Sequence, residues 1–156
     1  MYDLKRLGAV GAIVAKQARE IAAKEPEKAN DIIDLAPLLT PWRAGTMDKP
    51  IEHALGDVVC YADMPWHCTS LHTHRGEPGW EPNGETALWG QYHGLDAKHA
   101  LPFKAEGHNP YKENEWMLWD DGWRYRSKIG NNTWSPVGYP EAWEGPFDEN
   151  GDMIKE

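Results

Sequence analysis

The sequence predicts a mainly β fold with an N-terminal helical segment, in which two small tandem β-hairpin or three-stranded units follow one another along the chain. Three observations carry that expectation. The order Trp, one residue, Pro, six residues, Trp occurs twice, as Trp80-x-Pro82 with Trp89 and as Trp134-x-Pro136 with Trp143. Each copy follows a short β-prone run, so that residues 56–61 align with 114–119, and 66–68 with 125–127 if the second turn is one residue longer. Such internal repetition decides architecture before any single residue does. Third, units of about forty to fifty residues have marginal hydrophobic cores, and nine Trp and six Tyr supply the rings that fill them.

The expected division is a helical arm over residues 1–41, a first unit over 42–90, a connector over 91–108, a second unit over 109–145, and a tail or short hairpin over 146–156. Residues 4–24 read as a helix, because Leu7, Val10, Val14 and Ile21 follow a three-four spacing while Lys16, Arg19, Glu20 and Lys24 take the other side. Gly8 and Gly11 weaken its first turns. Its apolar stripe has three uses: packing on its own units, self-association into a homo-oligomer, or docking into a larger assembly. A second helix runs from about residue 27 to 35 after the break at Pro26, with Ile32, Ile33 and Ala36 on one side. Pro37 and Pro41 end it.

In the first unit, residues 42–50 form a loop with turn chemistry at Ala44-Gly45 and Lys49-Pro50. Residues 58–61 read as a strand, 62–65 as its turn and 66–69 as the returning strand, and the Gly- and Pro-rich stretch 72–84 as loop. The second unit repeats the plan, with a strand over 116–119, a turn at Asp120-Asp121-Gly122, a returning strand over 123–128, and a loop from Asn131 to Pro136. Asn150-Gly151 suits the turn of a final hairpin. Cys60 and Cys68 are the two cysteines. A register pairing Tyr61 with Trp66 sends their sulfurs to opposite faces and a one-residue shift opposes them, so the spacing permits a disulfide without requiring one.

A formal charge of −9 disfavours nucleic acid and anionic lipid as partners. No run of eighteen apolar residues appears, so no membrane insertion is expected. The opening Met1 to Arg6 and the apolar stretch after it have the outline of a signal peptide, but Lys16, Arg19 and Glu20 interrupt it, and the chain reads as made in a cytoplasm.

Gly56-Asp57-Val58-Val59-x-Tyr61, Trp66-x-Cys68, His72-Thr73, Trp80-x-Pro82 and Leu88-Trp89 resemble the small chitin-binding-type modules of carbohydrate-binding families five and twelve. The version in bacteriophage and prophage proteins is the most similar, there too behind a helical segment ending in proline and tryptophan, as Pro41-Trp42 does here. Asn109-Pro110-Tyr111, Tyr125-x-Ser127, residues 131–136 and Tyr139-Pro140-x-x-Trp143 resemble the second module of such tandem proteins. The resemblance implies a non-catalytic role on a virion surface, beside tail-fibre, baseplate or capsid proteins, with host surface polysaccharide as the partner. It also implies synthesis in the host cytoplasm and display on the particle. The positions matching that family's exposed aromatic pair, near Ser70-Leu71 and Ile129-Gly130, hold no such pair, which points away from chitin itself.

Sugar binding needs flat rings facing water, because the C–H face of a pyranose stacks on an aromatic while its hydroxyls seek donors and acceptors. Trp80, Trp123 and Trp134 lie in or beside loops and are the candidate contacts, with Asn131, Asn132 and Glu81 as polar partners. Tyr61, Trp66, Trp89, Trp119, Tyr125 and Trp143 are expected in the cores. Cys68-x-x-x-His72-x-His74, with His67 beside it, has ligand types suited to zinc, but no further ligands at a set spacing complete it, so neither metal nor cofactor is expected. Asp120, Asp121, Glu113 and Glu115 sit at turns, whereas a glycosidase needs two carboxyls at a set separation with one desolvated. The sequence therefore reads as a glycan-binding virion accessory protein, with a purely structural attachment protein as the rival.

Overall fold

In a computed structural model of the chain, residues 29–154 are described. The expected helix over 4–24, with its association stripe, lies outside them. The fold is mainly β, with one short helix ahead of nine strands among the described residues. Two compact units divide between Tyr92 and His93.

The first unit opens with α1 (Ala29–Leu35), which tightens into a 3-10 turn at Ala36–Leu38 where Pro37 takes an early position. Ile32 and Ala36 bury one side of this segment. Strands β1 (Ile51–His53), β2 (Val58–Tyr61), β3 (Met64–Cys68), β4 (His72–His74) and β5 (Trp89–Gln91) follow. They form a three-stranded antiparallel sheet in the order β2-β3-β5 and a separate β1-β4 pair. The β1-β4 pair lies partly in the stretch expected to be loop. Three-residue strands carrying between them five polar side chains and one Ile give no alternation to read.

The hairpin between β2 and β3 is tighter than the four-residue turn expected at 62–65. Tyr61 pairs with Met64, leaving Ala62 and Asp63 alone at the corner with φ of +52° and +61°. Positive φ at both central residues matches the twist of the flanking strands, so Met64 and Pro65 join the ladder. Cys60 consequently faces Pro65 while Cys68 lies at the far end of β3, and both remain free thiols. Alanine is a poor choice for left-handed backbone. Ala62→Gly is expected to stabilise the protein by about 0.5–1 kcal/mol, since relief of a Cβ clash worth about 1–2 kcal/mol exceeds the entropy cost of glycine. A urea midpoint that fell instead would contradict this.

The second unit contains a 3-10 turn at Ala97–His99, capped by Asp96, whose carboxylate accepts from the His99 N–H at 2.9 Å. Strands β6 (Leu101–Pro102), β7 (Trp116–Leu118), β8 (Arg124–Ser127) and β9 (Trp143–Phe147) form one sheet in that order, with β6 parallel to β7. Residues 93–108, expected as a connector, thus supply this unit with an edge strand and the core ring of Phe103. Beyond β9 the chain turns through Asp148 and Gly151 to a bridge between Phe147 and Met153, the hairpin expected from Asn150-Gly151.

The two units share one plan down to individual hydrogen bonds. In the first, Gly56 N–H donates to Cys68 O (2.9 Å) and Cys68 N–H to Asp57 O (2.7 Å); in the second, Asn114 donates to Ser127 O (2.8 Å) and Ser127 to Glu115 O (2.7 Å). Gly56 and Asn114 both have positive φ. Asp57 accepts from Ala54 N–H at 2.8 Å, as Glu115 does from Lys112 N–H at 2.6 Å. The rings correspond as well. Trp42 lies over His53 (6.4 Å, 19°) and meets Tyr61 edge-on (5.5 Å, 84°), and His53 meets Trp89 (5.0 Å, 71°). Phe103 lies over Tyr111 (5.7 Å, 8°) and meets Trp119 (5.2 Å, 72°), and Tyr111 meets Trp143 (5.3 Å, 72°). One four-ring lattice holds each unit closed, with His53 in the first where the second has Tyr111.

Candidate functional site

The second unit's loop from residue 128 to 142 is built around Asn132. That residue is fully buried, and its backbone N–H and C=O both pair with Tyr111 at 2.9 Å. Its side-chain amide donates to Ser127 Oγ (3.0 Å) and Ala142 O (3.3 Å), while Oδ1 accepts from Trp134 N–H (3.0 Å). Asn132 is therefore no sugar contact, contrary to the expectation from its loop position: every polar group of its side chain is spent pinning the loop. Asn131, in left-handed backbone at φ +52°, turns outward and is exposed.

Pinning positions Trp134. The backbone N–H of Trp134 is held by Asn132, and its carbonyl accepts from the buried Trp143 Nε1–H at 2.8 Å. The chain then folds back on itself, because Ser135 Oγ accepts from Gly138 N–H (2.8 Å) and Ser135 O from Tyr139 N–H (3.0 Å). The turn delivers Tyr139 beside Trp134, ring centroids 5.8 Å apart and planes inclined at 59°. Trp134 is 55% and Tyr139 41% exposed, with Val137 at the tip still more so. Both rings thus stand open on backbone anchored by hydrogen bonds to the buried residues Asn132 and Trp143.

Other expected contacts are placed differently. Trp123 is 39% exposed and lies outside that ring pair; its N–H is fixed by Asp121 Oδ1 at 2.8 Å. Trp80, the first unit's counterpart in the repeat, is partly buried, with the rings of His72 and His74 against it at 6.3 and 6.5 Å. Among the expected core rings, Trp66, Trp89 and Trp143 are buried, whereas Tyr61, Trp119 and Tyr125 line the core margins. Tyr139 was not among the sequence-based contacts. Its signal is the Ser-Pro-Val-Gly run before it, turn chemistry that folds the chain back towards Trp134.

Several histidines and acids hold the backbone or a neighbouring side chain in place. His74 Nδ1 accepts from Gly45 N–H (2.8 Å) and its Nε2 lies 3.1 Å from Glu77 O. His72 Nδ1 lies 3.8 Å from Cys68 Sγ, but among the described residues no group of three or more His, Cys, Asp or Glu is placed to hold a metal ion. Burial pushes the Cys68 thiol up, and that of Cys60 likewise. Asp121 Oδ2 accepts the Tyr125 hydroxyl at 2.8 Å, and burial followed by this bond pushes that phenol up to about 12. Glu115 accepts from Lys112 N–H and lies 3.1 Å from His93 Nδ1. Among the described residues no helix is long and apolar enough to cross a membrane. No protein-family model matches the chain, and a search of curated proteins returned no match.

Proposed function

We propose that the chain is a non-catalytic glycan-binding protein whose second unit holds sugar against Trp134 and Tyr139. The observation that carries this reading is the exposed, hydrogen-bond-anchored ring pair, 5.8 Å between centroids. Anchoring matters because a preordered site loses little conformational entropy on binding. The carboxylates nearest in sequence to a catalytic pair, Asp121 and Glu115, are used to hold turns, which supports binding without bond cleavage. The resemblance to phage modules extends the proposal to a virion accessory protein in a tail, tail fibre, baseplate or capsid surface, contacting host surface polysaccharide. One open ring pair per chain gives weak binding, which repeated copies on a particle raise through effective concentration.

The rival, a purely structural attachment protein, draws on the first unit. There, among the described residues, the large exposed apolar side chains are Leu38, Met47, Leu55 and Leu71, all aliphatic and unsuited to stacking on sugar. A glycan array probed with the intact chain tests the proposal. Trp134→Ala and Tyr139→Ala are each expected to weaken binding at least about tenfold, the loss of one aromatic contact of about 1.4 kcal/mol or more, while Trp80→Ala changes it little. Absence of binding to any glycan, or binding indifferent to both losses, overturns it.

A further inference from the structure

Two features of the ring pair go beyond its being exposed. The planes of Trp134 and Tyr139 are inclined at 59° with centroids 5.8 Å apart, so no flat sugar can lie on both faces at once. An extended chain presenting a ribbon of pyranose faces needs rings sharing one plane, spaced along the ribbon. Here a pyranose stacked on the Trp134 face meets Tyr139 with its edge and substituents, if at all.

The second feature is charge. Residues 129–140, the stretch carrying both rings, contain no Asp, Glu, Lys, Arg or His, in a chain of which 26% is charged. Its polar groups are neutral: the exposed Asn131 side chain, the Tyr139 hydroxyl, and Ser135, which already accepts from Gly138 N–H. A carboxylated sugar would bring an anion to a ring-bearing stretch with no charge of its own, flanked by Lys128 and Glu141 of opposite sign, on a protein of net charge −9, and lose hydration for little return. An uncharged sugar has no such cost, and its hydroxyls find both donors and acceptors.

We infer that the Trp134–Tyr139 site takes a single uncharged pyranose residue, reached at a chain end or branch, and not a run of residues along a polymer. This inference rests on the glycan-binding reading above. The one-residue footprint follows from ring inclination and the neutral selectivity from the uncharged stretch 129–140, so each half is open to separate attack.

The test uses the full chain and isothermal titration with the sugar selected on the array. That sugar is offered as methyl monosaccharide, disaccharide, tetrasaccharide and hexasaccharide, and as the monosaccharide oxidised to its C6 carboxylate. Affinity is expected to vary less than about threefold from disaccharide to hexasaccharide, and the carboxylate to bind at least about fivefold more weakly, the gap narrowing as salt rises. Affinity that climbs more than about tenfold with chain length overturns the one-residue footprint. Equal or tighter binding of the carboxylate overturns the neutral selectivity. In either case array binding that still depends on Trp134 leaves the glycan reading standing. A chain that binds no sugar on the array, or binds only a protein, sinks that reading and this inference together.

Discussion

Trp143→Ala is expected to destabilise the protein by about 3–5 kcal/mol and to abolish glycan binding, whereas Trp134→Ala removes binding with a stability change within about 0.5 kcal/mol. The two tryptophans are nine positions apart and joined by a hydrogen bond, yet their exposure differs by an order of magnitude: 5% for Trp143 and 55% for Trp134. Trp143 closes the second unit's ring lattice against Phe103 at 6.1 Å and Tyr111 at 5.3 Å, and it pairs with Ser127 in the β8–β9 ladder. Truncation leaves a cavity that a unit this small cannot collapse. It also removes the Nε1–H that holds the Trp134 carbonyl, so the loop loses an anchor as the core loses its largest ring. Guanidinium unfolding monitored by far-ultraviolet circular dichroism, beside the same array, separates the two variants. Equal stability losses would mean that Trp134 acts as a core residue.

The same pair shows what the sequence made legible. Trp-x-Pro with a second Trp at fixed distance marked both lattices, and the alignment of residues 56–61 with 114–119 is reproduced by matched backbone bonds at Gly56 and Asn114. Aromatic strands with turn residues between them suffice for that, because burial of large rings leaves few alternatives. Three things were not legible. The parallel edge strand at Leu101–Pro102 and its counterpart bridge between Pro41 and Cys60 involve too few residues to show periodicity. Asn132 and Asn131 are identical letters with opposite fates, and only the partners across the loop, Ser127, Ala142 and Tyr111, decide which one is buried. Trp80 and Trp134 share a motif as well, but the first unit's histidines cover one while the second unit has no imidazole at the matching place, leaving the other open.

His53, which meets the ring of His72 in the same unit, makes acid the second large perturbation. Mild acidification from about pH 7.5 to about pH 5, the range in which histidine and not carboxylate titrates, is expected to lower the denaturation midpoint, and His53→Phe to remove much of that loss. His53 is 6% exposed, between Trp42 and Trp89 and 5.1 Å from the ring of His72, and its Nε2 meets no hydrogen-bond partner among the described residues. Burial holds its imidazole below the ordinary histidine value of 6.5; His72 and His74 act in the same direction, and only Asp57 opposes them. The sign follows from proton uptake. Below 6.5 the unfolded chain protonates His53 while the folded chain resists, so unfolding binds protons and stability falls as pH falls, being fully present above that value. The slope from one such site cannot exceed about 1.4 kcal/mol per pH unit. Phenylalanine keeps the ring at a position where the second unit already holds the aromatic Tyr111, and carries nothing to protonate. A wild-type midpoint flat across the window, or a His53→Phe curve parallel to it, would show that the buried imidazole plays no part.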